Sequence, residues 1–283
     1  MGAGTAIVTG ANSGMGLATT IELAKEGFHV VMACRNEQKA KEAREQAVTE
    51  SGSDLIDVIP CDLGSINSIV EFVKEIERRY EQIDRLINNA GVVSLKKEYT
   101  TDGFEAMIGV NHLGHFLLSN LLLNVMKKST EARIINVSSG AYKVGRIDLD
   151  DPHFNQRSFN VVKGYSQSKL ANILFTLELA KRLEGTTVTT YSLHPGAVST
   201  SLGVNRTSGF GKTIHKLLKP FFLTPKEGSA TAIYLATEPQ IEAYSGQFFY
   251  KEKPQQLTSK QISAENAKKL WDWSVEQVQL ERD

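Results

Sequence analysis

The stretch Thr5–Gly16, TAIVTGANSGMG, determines the fold that we expect for this chain. Its first five residues form a short, mostly apolar run rich in β-branched side chains, which is typical of a strand. Glycines follow with the spacing G-x-x-x-G-x-G, and Gly14–Glu26 then has helical periodicity. Glycines between a strand and a helix permit a tight turn and a close backbone approach to phosphate. The stretch predicts a nucleotide-binding turn, and a glycine-rich turn without a ligand is the alternative.

The rest of the chain repeats this alternation. We predict strands at Thr5–Thr9, Phe28–Ala33, Leu55–Ile59, Arg85–Asn88, Arg133–Val137, Thr187–Leu193 and Gly246–Tyr250. We predict helices at Gly14–Glu26, Glu37–Glu50, Ser65–Tyr80, Asp102–Lys127, Tyr165–Leu183 and Lys226–Ala236. Helices of this length between strands imply crossover connections. The prediction is one α/β domain over residues 1–283, a Rossmann-type doubly wound parallel sheet of about seven strands with helices on both faces.

Composition excludes several classes of protein. The 283 residues contain 32 Lys+Arg and 32 Asp+Glu, so no net charge favours nucleic acid. Cys34 and Cys61 are too few for a disulfide framework and fit a reducing compartment. We expect both to be buried, inert thiols at the ends of neighbouring strands, with a redox role as the alternative. An apolar strand starts within about five residues of Met1, so we expect no signal peptide or transmembrane segment and a cytoplasmic location.

The residues at the end of the second strand indicate which nicotinamide nucleotide the protein prefers. An acidic residue there would bind a ribose 2′-hydroxyl and repel a 2′-phosphate. This chain has the uncharged Cys34, followed at once by Arg35, whose guanidinium can pair with a phosphate. NADP(H) is therefore favoured over NAD(H). The alternative is that Arg35 is a surface arginine at the start of the second helix.

Tyr165 and Lys169 are four residues apart, which places both on one face of a helix. A free tyrosine titrates near pH ~10, so it exchanges protons poorly at neutrality. A neighbouring cation lowers the pKa of a phenol. We therefore expect Lys169 to lower the pKa of Tyr165 and make it a proton donor or acceptor for a substrate oxygen.

These motifs, taken in order, resemble those of the short-chain dehydrogenase/reductase family over about Thr5–Tyr250. The matching segments are Thr9–Gly16, Cys61–Leu63, Asn88–Gly91, Asn111, Val137–Ser139, Tyr165–Lys169 and Pro195–Thr200. The resemblance implies a catalytic set of Asn111, Ser139, Tyr165 and Lys169. It also implies that the cofactor contacts Gly10, Asn12, Ser13, Gly14, Met15, Gly16, Arg35, Asn36, Asp62, Leu63, Asn89, Ala90, Gly91, Tyr165, Lys169, Pro195, Gly196, Val198 and Thr200.

The branch of the family that the chain resembles is the retinol dehydrogenase-like reductases, through stretches such as Val110–Phe116 and Ser192–Gly196. The resemblance implies hydride transfer between NADP(H) and an apolar aldehyde, ketone or alcohol. Tyr165 would exchange the proton of the substrate oxygen and Ser139 would hydrogen-bond that oxygen. Lys169 would bind the nicotinamide ribose, and Asn111 would hold a water that relays protons.

Two features outside these motifs carry predictions of their own. Phe210–Leu223 has an apolar stripe with lysines beside it. The resemblance to the family implies a substrate lid at this point of the chain, so we expect a lid at about 200–225, with peripheral membrane contact as the alternative. Residues 260–280, around Leu270–Trp273, are expected to dock as a C-terminal helix. His112 and His115 have a spacing compatible with metal ligation, but no acid or cysteine completes a site, so we predict structural roles and no metal.

Two other classes of function use the same fold. One is a binding module that senses NADP(H) without turnover, and the other is a lyase or epimerase that retains its cofactor. The presence of Ser139 and of the Tyr165–Lys169 pair favours an oxidoreductase over both. We expect a monomer or a homodimer whose partner is a small carbonyl or alcohol substrate.

Overall fold

The computed structural model describes residues 3–196 and 223–280. The strands are β1 Thr5–Thr9, β2 His29–Cys34, β3 Ile56–Pro60, β4 Arg85–Asn88, β5 Ala132–Val137, β6 Val188–His194, β7 Phe248–Tyr250 and β8 Lys253–Gln255. The α-helices are α1 Gly14–Lys25, α2 Glu37–Ser51, α3 Ile66–Arg79, α4 Ala106–Met126, α5 Val161–Arg182, α6 Pro225–Thr237 and α7 Ala264–Val278. All eight strands belong to one sheet.

The sheet has the strand order β3-β2-β1-β4-β5-β6-β7-β8. Strands β1 to β7 are parallel, and β8 pairs antiparallel with β7. The chain order reverses between β1 and β4, which is the switch point where α/β sheets of this kind bind ligands at the carboxyl ends of their strands. This order confirms the predicted doubly wound α/β fold, with one short antiparallel strand more than the approximate seven.

Helices cover both faces of the sheet and create two cores. Helices α1, α2 and α6 cover one face, and their buried side chains include Ile21, Leu23, Ala40, Ala43 and Leu235. Helices α3, α4, α5 and α7 cover the other, and their buried side chains include Phe72, Phe116, Phe175 and Trp271. Burial on both faces explains why the central strands β1 and β2 lack a polar alternation and consist mostly of apolar residues.

Helix α4 is irregular at the point where it passes the site. Its segment Gly109–Gly114 is π-helical, between α-helical Ala106–Ile108 and His115–Met126. Its start lies later than the predicted Asp102, because the Glu105 carboxylate accepts the N–H groups of Met107 and Ile108, both at 3.0 Å, and caps the helix there. Among the described residues, α4 alone is long and apolar enough to cross a membrane, and it is mostly buried in the domain.

Helix α5 begins at Val161, four residues before the predicted start at Tyr165. The side chain of Asn160 accepts the N–H groups of Val162 and Lys163 and forms the N-cap. In the segment before it, Gly140–Val144 forms a 3₁₀ helix. The predicted C-terminal helix at 260–280 corresponds to α7, whereas all but the last residues of the predicted lid lie outside the described residues.

Candidate active site

The glycine-rich turn lies between β1 and α1, where the chain runs too close to itself for side chains. Gly10 has φ +63°, and a Cβ there would lie 3.0 Å from the Cα of Ala90. A Cβ on Gly16 would lie 2.3 Å from the carbonyl oxygen of Gly10. Glycine at both positions therefore avoids a clash between the turn, the first turn of α1 and the loop after β4.

A cavity of about 350 Å³ lies against this turn. It is lined by thirteen of the predicted cofactor residues: Gly10, Asn12, Ser13, Gly14, Met15, Gly16, Arg35, Asn36, Asp62, Leu63, Asn89, Ala90 and Gly91. Ser13 is the N-cap of α1, and within the described part of the chain its side chain makes no capping hydrogen bond. The first amides of α1 therefore have no side-chain acceptor there, an arrangement suited to a phosphate. The residues present fit a dinucleotide.

Two cationic side chains line the cavity near the start of α2. Arg35 and Lys39 both line it. The side chain of Asn36 caps α2 by accepting the N–H of Lys39 at 2.9 Å. Asn36 also lines the cavity, so the N-terminus of α2 lies beside it. Sequence reasoning missed Lys39. The sequence feature that could have identified Lys39 is its spacing of four residues from Arg35, across the start of a predicted helix.

The two cysteines lie at adjacent strand ends but on different faces. Cys34 packs in the core under α1, α2 and α6, whereas Cys61 packs in the opposite core. Burial raises the pKa of Cys34 to about 11 and that of Cys61 to about 12. Both are therefore neutral, unreactive thiols near pH 7.

Thr9 joins the end of β1 to the loop that follows β4. Its hydroxyl accepts the backbone N–H groups of Asn89 and Ala90, both at 2.9 Å. The Asn89 side chain donates in turn to the carbonyl oxygen of Thr9 at 2.8 Å. These bonds hold Asn89, Ala90 and Gly91 against the cavity wall.

Ser139, Tyr165 and Lys169 meet at the other end of the cleft. They line a cavity of about 100 Å³ together with Met15, Asn89, Gly91, Val137, Ser138, Pro195 and Gly196. Three of these residues, Met15, Asn89 and Gly91, also line the larger cavity, so the two cavities are neighbours. Ser139 and Tyr165 lie in the same wall, and Ser139 acts to lower the pKa of Tyr165. The neighbouring Ser138 hydroxyl is committed elsewhere, to the carbonyl oxygen of Lys169 at 2.7 Å.

The titration of Tyr165 differs from the expectation. Burial raises the pKa of Tyr165, opposed by Ser139, so the expected lowering by Lys169 is not found. Lys169 does not lower this pKa because its ammonium is distant from the phenol and because burial desolvates Tyr165. The Lys169 ammonium lies 5.7 Å from the centre of the tyrosine ring and donates to the Val137 carbonyl at 3.0 Å. Burial also lowers the pKa of Lys169 to about 8.

Asn111 lies in the π-helical segment and does not line these cavities. Its side chain accepts the N–H of Val92 at 2.7 Å and donates to the Val92 carbonyl at 3.1 Å. It also donates to the Ser168 hydroxyl at 3.0 Å. Asn111 thus ties the loop after β4 to α4 and α5, and its role in holding a water stays a prediction.

The remaining candidates are placed as follows. His112 contacts the Ser274 hydroxyl at 2.8 Å and His115 contacts the Thr9 hydroxyl at 2.9 Å, so each has a hydrogen-bonding role. Across residues 3–196 and 223–280, no group of three or more His, Cys, Asp or Glu side chains is arranged to hold a metal ion. Val198 and Thr200 lie outside the described residues.

Comparison with known proteins agrees with this geometry. The sequence profile of the family described as short chain dehydrogenase matches residues 4–209. The chain is 44% identical to retinol dehydrogenase 14 of Homo sapiens, over 98% of this chain and 86% of that protein. A crystal structure of an uncharacterised protein from Mycobacterium paratuberculosis superposes with a TM-score of 0.77 and 32% identity, covering 97% of this chain and 93% of that one. A short chain dehydrogenase of Shigella flexneri 2a strain 301, complexed with NADP, has a TM-score of 0.69 at 19% identity, covering 88% and 97%.

The chain belongs to the short-chain dehydrogenase family. Within that family it is retinol dehydrogenase-like, since curated relatives of that name match most of its length. It is therefore an oxidoreductase of the class that acts on an alcohol or carbonyl group with a nicotinamide cofactor.

Proposed function

We propose that this protein is an NADP(H)-dependent reductase of apolar aldehydes or ketones, of retinal-like or medium to long chain. The observation that carries the proposal is a pair of neighbouring cavities that share Met15, Asn89 and Gly91. Arg35 and Lys39 line the first, and Ser139, Tyr165 and Lys169 line the second. Together they suit a dinucleotide whose adenosine 2′-phosphate lies beside the two cations and whose reactive ring lies beside Tyr165.

The nucleotide preference rests on charge. Arg35 and Lys39 line the region where a 2′-phosphate would lie, and the residue at the end of β2 is the neutral Cys34. A carboxylate at that position would repel the phosphate and favour NAD(H). Two cations and no acid at the end of β2 favour NADP(H).

The protein groups at the catalytic end support reduction of a carbonyl. A bound nicotinamide cofactor supplies the hydride. Burial raises the pKa of Tyr165, so the phenol carries its proton near pH 7 and can still give it to a developing alkoxide, which is a much stronger base than a phenolate. Ser139, which lines the same cavity as Tyr165, is placed to donate to the same oxygen. The Lys169 ammonium, with a pKa of about 8, remains mainly charged at neutrality.

The apolar character of the substrate rests on relatives whose name refers to retinol. Membrane contact through 210–223, a cytoplasmic location and a monomeric or dimeric state remain predictions. The non-redox alternatives, a cofactor sensor or a lyase, stay disfavoured because the Ser139–Tyr165–Lys169 cluster is complete.

The test is NADPH oxidation by the purified protein with aldehydes and ketones of graded chain length, and with retinal. We expect turnover that improves with chain length. Tyr165→Phe should lower turnover by a factor of ~10² or more, as for loss of a positioned acid, with little change in the NADPH dissociation constant. Cofactor that binds without any oxidation across the panel would point to a sensor. Full activity of the Phe variant would remove Tyr165 from the mechanism.

A further inference from the structure

His115 is a buried residue of α4 that the family motifs leave without a role. Its side chain is 1% exposed, and its two ring nitrogens face different partners. Nδ1 lies 3.1 Å from the carbonyl oxygen of Asn111, and Nε2 lies 2.9 Å from the hydroxyl oxygen of Thr9. The ring therefore bridges the π-helical segment of α4 and the end of β1.

These partners fix the tautomer of the ring. A carbonyl oxygen only accepts, so Nδ1 must carry the hydrogen that it donates to Asn111. Burial lowers the pKa of His115 to about 4, so the ring is neutral and Nε2 is a bare acceptor near pH 7. The Thr9 hydroxyl consequently donates its proton to Nε2. The other acceptor within reach of that hydroxyl, the Ile87 carbonyl, is more distant at 3.3 Å.

The direction of the Thr9 proton matters for the cofactor cavity. With its proton pointing at His115, the Thr9 oxygen has both lone pairs free for the N–H groups of Asn89 and Ala90. Asn89 and Ala90 belong to the wall of the cavity. Hydrogen bonds therefore connect the Asn111 carbonyl, through His115 and Thr9, to the backbone of the cavity wall.

We propose that His115 is a positioning residue for the cofactor site: its ring orients the Thr9 hydroxyl and, through it, the backbone of Asn89 and Ala90. Binding of a dinucleotide then depends on a histidine that touches neither cofactor nor substrate. The inference rests on the proposed binding of NADPH.

Three substitutions separate the two bonds of the ring. His115→Phe keeps the bulk and removes both. His115→Gln can place an amide oxygen near the position of Nε2 and so keep an acceptor for Thr9. His115→Asn can place an amide N–H near the position of Nδ1 and keep only the bond to the Asn111 carbonyl. His112→Phe is the matched control, since it is also a buried histidine on α4 but bonds Ser274 instead of Thr9.

The measurement is the NADPH dissociation constant by fluorescence titration, alongside KM, kcat and a thermal melt for each variant. We expect NADPH binding to weaken about tenfold in His115→Phe and His115→Asn, the effect of one lost buried hydrogen bond. His115→Gln should stay within about threefold of the wild type, a difference of less than one hydrogen bond. The His112 control should melt earlier while its NADPH affinity is unchanged.

Several results would overturn the inference. Unchanged NADPH affinity in a folded His115→Phe variant would do so, as would rescue by Asn but not by Gln. Equal weakening in the His112 control would show that general packing is responsible. Failure of the wild type to bind NADPH would instead refute the proposed function.

A second measurement does not require any variant to fold. Nitrogen-15 NMR of the wild-type histidines should show His115 as the neutral tautomer with hydrogen on Nδ1 near pH 7. A ring protonated on Nε2 would contradict the orientation of the Thr9 hydroxyl and with it the proposal.

Discussion

At the scale of single residues, the site depends on a buried ammonium. Lys169 is 4% exposed, and burial alone lowers its pKa to about 8, because a charge removed from water is penalised. The Val137 carbonyl at 3.0 Å stabilises the charge only in part. The lysine is therefore charged near pH 7 but loses its proton within the range in which most proteins stay folded.

This pKa predicts an alkaline limit to activity. Because the pKa of Lys169 is lowered, deprotonation proceeds as the pH rises through about 8, and turnover should decline above that pH. The measurement is kcat for carbonyl reduction between pH 6 and pH 10 at saturating NADPH. Lys169→Arg is the control, since arginine keeps its charge throughout, and any residual activity should lose this limb. A flat wild-type profile up to pH 10 would contradict the role of the ammonium.

Arg35 provides a prediction on cofactor choice. Arg35→Ala should weaken NADPH binding by about tenfold or more, the loss of a charge-assisted pair, and leave NADH binding nearly unchanged. Lys39→Ala should cause a selective loss in the same direction, since Lys39 lines the same end of the cavity. Dissociation constants of both nucleotides for both variants check this. Equal losses for NADPH and NADH would show that neither cation selects the phosphate.

At the scale of elements, the C-terminal helix α7 completes one of the two cores. The Trp271 ring lies edge-on to Phe116 of α4 with ring centres 4.9 Å apart, and stacks on Phe175 of α5 at 5.9 Å. The guanidinium of Arg182 lies 4.3 Å from the centre of its ring. Helices α4 and α5 carry site residues, so α7 supports the site by packing against these two helices. It does not line either cavity itself.

Removal of this ring should therefore cost stability. Trp271→Ala should lower the free energy of unfolding by about 3–5 kcal/mol, as for other large-to-small changes of buried aromatic residues. Lys268→Ala on the same helix replaces an exposed side chain and should change it by less than about 0.5 kcal/mol. Urea unfolding followed by circular dichroism compares the two. Similar midpoints for both variants would mean that α7 does not belong to the core.

At the scale of the whole molecule, two neutral histidines inside the protein link stability to pH. Burial lowers the pKa of His112 to about 3 and that of His115 to about 4, from an ordinary value of 6.5. The unfolded chain therefore binds more protons than the folded one below pH 6.5. Their contribution to stability is fully present above that pH and is lost as the pH falls towards 4.

We expect the urea midpoint to fall between pH 6.5 and pH 4.5. Carboxylates with lowered pKa values, such as Asp57, lose their stabilisation only at more acid pH. Burial also lowers the pKa values of His153 and His194, so the double variant is needed to separate out the share of His112 and His115. The double variant His112→Gln, His115→Gln should be less stable at pH 7 but show a flatter dependence on pH across the window. An unchanged slope in the double variant would assign the acid sensitivity to other groups.

The sequence by itself determined the order of strands and helices and the residues that meet at the carboxyl ends of the strands. Periodicity is a local property, and in a parallel sheet every strand that is followed by a crossover helix ends at the same edge. The glycine turn, Asn89 and Ser139 each follow a strand, so they could be placed at one edge from their positions in the chain. Tyr165 lies on a helix, and the resemblance to the family added it to the site. Helix caps such as Asn160 changed only the residues at which the helices begin, compared with the prediction.

Tertiary structure alone decided what depends on burial and on contacts between distant segments. The pKa of Tyr165 is raised because desolvation outweighs a cation one turn away, and no spacing in the sequence gives the degree of burial. The bond between Thr9 and His115 joins residues 106 positions apart. Asn111 uses its side chain to fix Val92 and Ser168, contacts created when α4, α5 and the loop after β4 pack together. Such contacts arise only when the sheet and its two layers of helices assemble, because each needs partners from more than one element.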